Sequence, residues 1–240
     1  TMTLHDWLDL SASYGLDAVE PTSYYFSSEE NEYLHSLKAK AFKLGLDISG
    51  TAVGNNFCLP PGDARNAEIA MVKRWVDHSV EFGAPCIRIF AGREPKDADR
   101  ETTFKWVCEC TKECCDYAGS RGVFLAIENH GYMTESADEV IRIVEAVKHD
   151  WLGVNLDTGN FKSDPYANME KLLPYTITAQ VKVEVVSVDG KGREEADFGR
   201  IAGILRKANY RGYVALEYEA KEDPMTGVPK YLDKIRKAIA

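Results

Sequence analysis

The chain has 240 residues, 45% of them hydrophobic, so it is long enough to form one large domain with a substantial core. Its formal net charge of −9 argues against a polyanion-binding surface, because nucleic-acid-binding proteins usually carry a basic patch. No apolar run approaches the roughly 20 residues of a bilayer-spanning helix, and the opening residues form an amphipathic pattern, not a signal peptide. We therefore expect a cytoplasmic protein that binds neither nucleic acid nor a membrane.

Short apolar runs alternate with amphipathic segments along the whole chain. The runs predict strands at residues 16–21, 46–53, 86–92, 123–131, 152–160, 177–185 and 212–220. Helical patterns precede and follow them at residues 4–14, 29–45, 63–82, 98–120, 136–148, 168–173, 197–208 and 227–239. Strands that alternate with helices in this way are typical of βαβ units and a parallel sheet.

Residues at the helix ends support these boundaries. Ser136 precedes a helical pattern and is followed three residues later by Glu139, which is the capping-box spacing. Gly45, Gly83 and Gly122 fall just after helical patterns, where a left-handed C-terminal cap favours glycine.

Seven predicted strands are one fewer than a (β/α)8 barrel requires, and the first predicted element is a helix with no strand before it. The simplest explanation is an α/β fold, a (β/α)8 TIM barrel formed by residues 1–240 as a single domain, whose first strand is missing from the N-terminus of this chain. A doubly wound open sheet is the alternative. It usually carries a glycine-rich phosphate-binding turn after its first strand, and the sequence has none there.

Four of the six cysteines lie close together, at Cys108, Cys110, Cys114 and Cys115. Their spacing matches no standard zinc motif, and one predicted helix contains them all, so they would spread around its axis. Cysteine buries readily as a small apolar residue. We expect reduced structural cysteines, as is usual in a cytosolic protein.

Polar side chains collect at the ends of the predicted strands, where barrel enzymes build their active sites. The earlier strands supply Glu20, Arg88, Glu128 and His130, and the later ones Asp157, Asn160, Gln180, Lys182 and Glu217. Four consecutive strands, the fifth to the eighth of the presumed barrel, each place an oxygen donor at a similar depth. These donors are Glu128, Asp157, Gln180 and Glu217.

Three carboxylates that converge in one cleft repel each other unless a cation neutralises them. The alternative for each one is an ordinary helix cap or an ion pair, but four donors at matched strand positions favour a metal site. Oxygen ligands suit a hard or borderline divalent ion. The prediction is one divalent ion, Mn²⁺ first, with Mg²⁺, Co²⁺ and Zn²⁺ as alternatives.

The motifs "AIENHG", "NLDTGN", "QVKVE" and "GYVALEYE" resemble the sugar phosphate isomerase/epimerase group of the xylose-isomerase-like TIM barrels. That superfamily also includes ketose 3-epimerases, inosose dehydratase and endonuclease IV. In it, a Glu, an Asp, a His and a Glu from the fifth to eighth strands hold one divalent metal. The resemblance carries three of these places onto Glu128, Asp157 and Glu217, and Gln180 stands in the place of the histidine.

The chain departs from the epimerases at two further positions. Asn160 stands where they often have a histidine, and Val186 stands where they have an arginine that grips the substrate. Arg193, from the same loop, is the predicted replacement for that arginine.

The resemblance implies a metal-dependent sugar isomerase or epimerase that works through an enediolate, with Glu128 and Glu217 exchanging the proton. The partner is a small carbohydrate, and a homo-oligomer is left open. The expected substrate contacts are Glu20, Arg88, His130, Asn160, Lys182 and Arg193.

The sequence leaves three other functions to consider. The same intermediate eliminates a neighbouring leaving group, so a lyase resembling inosose dehydratase, or one that cleaves 3-keto-glycosides, is the main alternative. A nuclease related to endonuclease IV is disfavoured, because that enzyme uses a larger set of histidines and only His130 of the five here follows a strand. A metal-free sugar-binding barrel is the third.

Overall fold

The computed structural model describes residues 2–187 and 190–240. Contacts between residues divide the chain into two compact units. Unit 1 comprises the residues up to Ile127 together with Ile143–Gly153, and unit 2 comprises Glu128–Arg142 and Val154–Ala240. The chain passes between the units within regular secondary structure, not through a linker.

Unit 1 alternates strands and helices as the sequence predicts. Its helices are α1 (Leu4–Ser13), α2 (Asn31–Leu44), α3 (Asp63–Phe82) and α4 (Arg100–Ser120). Its strands are β1 (Ala18–Val19), β2 (Asp47–Ile48), β3 (Thr51–Ala52), β4 (Cys86–Ile89) and most of β5 (Phe124–Glu128). β1 pairs with β2, and β4 pairs with both β3 and β5, all in the parallel sense.

Unit 2 continues the alternation. Helix α5 (Ala137–Val147) begins in it, and strand β6 (Leu152–Asp157) ends in it. The later elements are α6 (Pro165–Leu172), β7 (Thr176–Lys182), β8 (Glu184–Val186), β9 (Arg193–Glu195), α7 (Phe198–Lys207), β10 (Val214–Glu217) and α8 (Pro224–Ile239). β7 pairs in parallel with β6 on one side and with β10 on the other.

The predicted helix ends are confirmed. The backbone N–H of Ser136 donates to Glu139 Oε2 at 3.0 Å, and the backbone N–H of Glu139 donates to Ser136 Oγ at 3.4 Å. Gly45, Gly83 and Gly122 have φ angles of 71°, 92° and 73°, in the left-handed region that favours glycine.

The cysteine cluster lies in one helix, as predicted. Cys108, Cys110, Cys114 and Cys115 all lie in α4, and all six cysteines are free thiols. Burial raises the pKa of the Cys115 thiol to about 12. Because the thiolate is the form that ligates metals, this disfavours a thiolate site.

Each unit buries its own apolar side chains. In unit 1, one cluster consists of Leu4, Leu8, Val19, Leu37, Ala41 and Leu46. In unit 2, α7 packs against α8, with the Phe198 and Tyr231 ring centroids 6.0 Å apart, and Val181 of β7 and Val214 of β10 line the same small space as these helices. Among the described residues, no helix is long and apolar enough to cross a membrane.

Two apolar runs are interrupted in ways that their periodicity did not indicate. The 46–53 run splits into β2 and β3 around Gly50, where a Cβ would lie 2.9 Å from Cys86 Sγ. The 177–185 run ends in β8, which pairs antiparallel with β9. This hairpin was not predicted; Gly190, with φ of 69°, supplies part of its turn, and 188–189 lie outside the described residues.

Candidate active site

The ends of β6, β7 and β10 bring polar side chains together in unit 2. Asp157 lies opposite Gln180, whereas Glu217 lies opposite Lys182. Side chains alternate along a strand, so Gln180 and Lys182 share one face. The predicted equal depth of the donors therefore holds for Asp157 and Gln180, which are directly paired. Glu217 lies two residues further along the sheet, paired with Lys182.

Asp157 is fully buried. Its Oδ1 accepts the backbone N–H of Gly159 at 2.7 Å, while Oδ2 accepts no hydrogen bond in the described structure. Burial is the main cause that raises the pKa of the Asp157 carboxyl well above its ordinary value. The negative charges of Glu128 and Glu217 raise it further, against the opposing effect of Lys182.

The ammonium group of Lys182 is the counter-charge to this cluster. Its Nζ lies 2.6 Å from Glu219 Oε2, 3.4 Å from Asp157 Oδ2 and 3.5 Å from Glu217 Oε2. Burial by itself lowers the pKa of Lys182, but Asp157, Glu217 and Glu219 together hold it above its ordinary value. The carboxylates around Lys182 therefore favour its ammonium form.

Glu128 is held from both sides by amides. Asn160 Nδ2 donates to Oε1 at 2.9 Å, and Asn155 Nδ2 donates to Oε2 at 3.3 Å. Glu128 is 2% exposed, so these amides replace the water that a surface carboxylate would have. Asn160, expected to contact substrate, is thus already engaged with the proposed catalytic carboxylate.

Asn129 fixes the backbone on which Asp157 stands. Its Nδ2 donates to the Asp157 carbonyl at 2.8 Å, and its Oδ1 accepts the Asp157 N–H at 2.9 Å. The buried side chain thus satisfies both backbone groups of Asp157, as a neighbouring strand would. Because Asn129 follows Glu128 directly, the clamp also ties the two carboxylates together through the backbone.

Gln180 is hydrogen-bonded to Asn155. Its Oε1 accepts a hydrogen bond from Asn155 Nδ2 at 2.6 Å. A carbonyl oxygen has two lone pairs, so this bond leaves room for Gln180 to ligate a cation through the same atom.

The donors fit a divalent ion by their chemistry. The buried oxygens Asp157 Oδ2 and Glu217 Oε2 accept no hydrogen bond among the described atoms, and Glu128 and Gln180 add two further oxygens. Within residues 2–187 and 190–240, however, no three His, Cys, Asp or Glu side chains stand arranged as a finished metal site. Lys182 Nζ lies 3.4 and 3.5 Å from Asp157 Oδ2 and Glu217 Oε2, and Asn155 Nδ2 donates to Glu128 and Gln180.

The other predicted substrate contacts have different surroundings. Glu20 and Arg88 belong to unit 1, where Arg88 Nη1 donates to the Val53 carbonyl at 3.1 Å. His130 is exposed, and its backbone N–H donates to the Thr134 hydroxyl. Their role in binding substrate stays a prediction.

Arg193 serves the hairpin. Its Nη2 donates to the carbonyls of Gly159 and Glu184, at 3.1 and 2.8 Å. The guanidinium thus ties β9 to β8 and to the loop after β6, and its predicted substrate contact also stays a prediction.

Three residues of this network were not among the predicted site residues: Asn129 and Glu219, which lie at strand ends, and Asn155. Asn155 stands two residues before Asp157 in a strand, a spacing that places both side chains on one face. A buried amide there must find hydrogen-bond partners, and that requirement was the available signal.

Gly159 leaves the space that the Lys182 stem occupies. A Cβ at Gly159 would lie 2.7 Å from Lys182 Cβ and 2.8 Å from the Glu184 carbonyl oxygen. We expect Gly159→Ala to lower the free energy of unfolding in urea by about 1–3 kcal/mol, because the added carbon overpacks a buried site. Gly203→Ala is the control: it lies within α7 with open space around it and should stabilise by up to about 1 kcal/mol. Equal stability changes in the two variants would contradict this account.

The raised pKa of Asp157 predicts a stability gain on removing its charge. A carboxyl with a raised folded-state pKa contributes stability below its unfolded pKa and loses that contribution as pH rises through the folded pKa. In metal-free protein at about pH 8, we expect Asp157→Asn to raise the unfolding midpoint in urea, with a smaller difference near pH 4. Asp138→Asn, at an exposed position, should stay within about 0.5 kcal/mol of wild type. A destabilised Asp157→Asn protein at the higher pH would be inconsistent with the charge balance.

Comparisons with known proteins identify the fold. The chain aligns with the E. coli 3-keto-D-glucoside 4-epimerase at 16% identity and a TM-score of 0.82, over 99% of this chain and 95% of that one. It aligns with the D-psicose 3-epimerase of Clostridium cellulolyticum H10 at 18% identity and 0.81, over 100% and 94%.

A third solved structure, the probable 3-DHS dehydratase AsbF of Bacillus anthracis, aligns at 15% identity and a TM-score of 0.75, over 100% of this chain and 94% of that one. A comparison with curated protein sequences gives no match. The model of the xylose isomerase-like TIM barrel family matches residues 8–238 and confirms the predicted fold class. The chain belongs to the xylose isomerase-like TIM barrel family.

Proposed function

We propose that the chain is a divalent-metal-dependent sugar isomerase or epimerase in which Glu128 and Glu217 are the acid and base. The observation that carries the proposal is the burial of Asp157 beside these two carboxylates, with the Lys182 ammonium as the nearby counter-charge. A structural ion pair needs one carboxylate per cation. A surplus of buried carboxylates at strand ends is instead typical of a site built to receive a cation.

Glu128, Asp157, Gln180 and Glu217 would hold the ion. Their all-oxygen donor set favours Mn²⁺ first, with Mg²⁺, Co²⁺ and Zn²⁺ as alternatives. Such an ion, when bound, supplies a Lewis acid that acidifies the carbon beside a carbonyl and stabilises the charge of an enediolate.

The chain's own carboxylates would move the proton. Glu128 is held in one orientation by Asn155 and Asn160, so its oxygens are fixed before substrate arrives. Glu217 stands on another strand, with its side chain 34% exposed. One carboxylate removes the proton from a hydroxy-ketone, and the other returns a proton at the opposite face or at the neighbouring carbon. Lys182 stays protonated throughout and binds a substrate oxygen.

A lyase is the second candidate. The structural likeness to a probable 3-DHS dehydratase supports keeping it. The same two carboxylates would first form the enediolate and then expel a leaving group from the adjacent carbon, so loss of water or of a glycoside distinguishes this reaction. In either case we propose a small carbohydrate as the substrate. The six free cysteines agree with a reducing, cytoplasmic setting.

The first test concerns metal choice. Wild-type apo-protein should prefer Mn²⁺ or Mg²⁺ over Zn²⁺, and this preference should be stronger than that of a site with a histidine ligand. Gln180→His should tighten Zn²⁺ and Co²⁺ binding, because imidazole is a better ligand for softer ions. Isothermal titration of each metal into both proteins measures this. Lys221→His, at an exposed position, controls for an added histidine. Unchanged Zn²⁺ and Co²⁺ affinities in Gln180→His would remove Gln180 from the ligand set.

The second test concerns the proton. With saturating Mn²⁺ in D₂O, deuterium should enter the carbon beside the carbonyl of an accepted hydroxy-ketone at least as fast as turnover. Screening ketoses, keto-inositols and 3-keto-glycosides by NMR identifies such a substrate. Glu128→Gln and Glu217→Gln should each slow exchange by roughly 10²-fold or more, because each removes an acid–base group.

Glu194→Gln, on the exposed strand β9, is the matched control and should exchange at the wild-type rate. Exchange that persists in both Glu128→Gln and Glu217→Gln would place the base elsewhere, with His130 and Lys182 as the next residues to test. Absence of exchange in wild type with every hydroxy-ketone would favour a sugar-binding barrel.

A further inference from the structure

Asn155 is a buried polar residue that neither moves a proton nor ligates the ion in the proposed chemistry. It lies in the middle of β6, is fully buried, and shares a strand face with Asp157 two residues later. Its nearest partner in the register on β7 is Thr178, one same-face step before Gln180. A buried amide costs free energy unless its hydrogen bonds are made, so its contacts indicate what it does.

Those contacts fix the orientation of the Asn155 amide. A carboxylate can only accept, so the atom facing Glu128 Oε2 at 3.3 Å must be Nδ2. The same Nδ2 faces Gln180 at 2.6 Å, so Gln180 must present its oxygen to it. Asn155 Oδ1 accepts no hydrogen bond among the described atoms. The Asn155 NH₂ group therefore donates to both Glu128 and Gln180, while its Oδ1 has no donor among the described atoms.

We propose that Asn155 is a positioning residue that sets the orientation of Glu128 and Gln180 together, before any ion or substrate binds. This inference rests on the proposed function where it concerns metal affinity. A single NH₂ group spans two strands and determines which end of the Gln180 amide faces Asn155. Without the Asn155 NH₂ group, the Gln180 amide could rotate so that its Nε2 replaces its Oε1 in the site. An amide nitrogen that carries two hydrogens cannot ligate a cation.

The test combines Asn155→Leu with Gln180→Ala and uses Mn²⁺ alone as the probe. Partners that orient a metal ligand typically contribute 10–100-fold in affinity, so Asn155→Leu should weaken Mn²⁺ binding by about 10-fold or more. In the Gln180→Ala background the same change should cost at least about threefold less, because one of the two groups that Asn155 positions is already gone. Titration calorimetry of the four proteins gives the cycle.

Thr178→Val is the matched control. Thr178 is buried at the same level of the neighbouring strand, and its hydroxyl makes no hydrogen bond among the described atoms. Its loss should leave Mn²⁺ affinity unchanged. Asn155→Ala replaces Asn155→Leu if the leucine variant fails to fold. An equal affinity loss in both Gln180 backgrounds, or in Thr178→Val, would show a merely structural effect and overturn the proposal.

A metal-free measurement separates this inference from the proposed function. In ¹⁵N-labelled apo-protein, the Asn155 side-chain amide signals, assigned from their absence in Asn155→Ala, should exchange slowly with D₂O and shift in Gln180→Ala. If wild type binds no Mn²⁺ but its Asn155 amide signals exchange slowly and shift in Gln180→Ala, the proposed function fails and the positioning role stands. If the signals exchange at the rate of an exposed amide, the positioning role fails whether or not Mn²⁺ binds.

Discussion

Asp157 carries a carboxylate with none of its surface exposed, and a charge in that position has to be balanced by its neighbours. Lys182 provides part of the balance from 3.4 Å away, but its closer contact is with Glu219 at the edge of the site. The charges of Glu128 and Glu217 act in the opposite direction. Burial, and then this surplus of negative charge, raises the pKa of the Asp157 carboxyl, and the same carboxylates raise the pKa of Lys182.

Neutral asparagine side chains fix the orientation of the two carboxylates Asp157 and Glu128. Asn129 holds the Asp157 backbone, and Asn155 and Asn160 hold the two oxygens of Glu128. An amide orients a carboxylate without adding charge, so it fixes geometry while leaving the negative potential available to a cation. A second cation beside Lys182 would orient the same oxygens but would also neutralise them. Asparagine at these positions is consistent with the proposed divalent-ion site.

The sequence predicted what depends on local pattern. Helix ends at Ser136 and Gly83 and the strands that carry Glu128 and Asp157 follow from capping chemistry and apolar periodicity, which act over a few residues. The clustering of carboxylates followed from a general property of parallel strands, whose carboxyl ends share one edge.

Features that depend on pairing between strands could not be obtained in this way. Periodicity gives no register, so the alignment of Glu217 with Lys182 and not with Gln180 required the coordinates. The hydrogen bonds of Asn155 also cross between strands, and the β8–β9 hairpin depends on a turn whose glycines resemble an ordinary loop.

The close approach of Gly159 to Lys182 has a consequence for the history of the family. A side chain at the first position and a long stem at the second would compete for the same volume, since the missing Cβ would lie 2.7 Å from Lys182 Cβ and 2.9 Å from its Cδ. A shorter residue in place of Lys182 would keep its own Cβ, and the Glu184 carbonyl oxygen would still lie 2.8 Å from the added carbon, so shortening the stem does not make room. An alignment of many members should therefore show glycine at position 159 whatever residue stands at position 182.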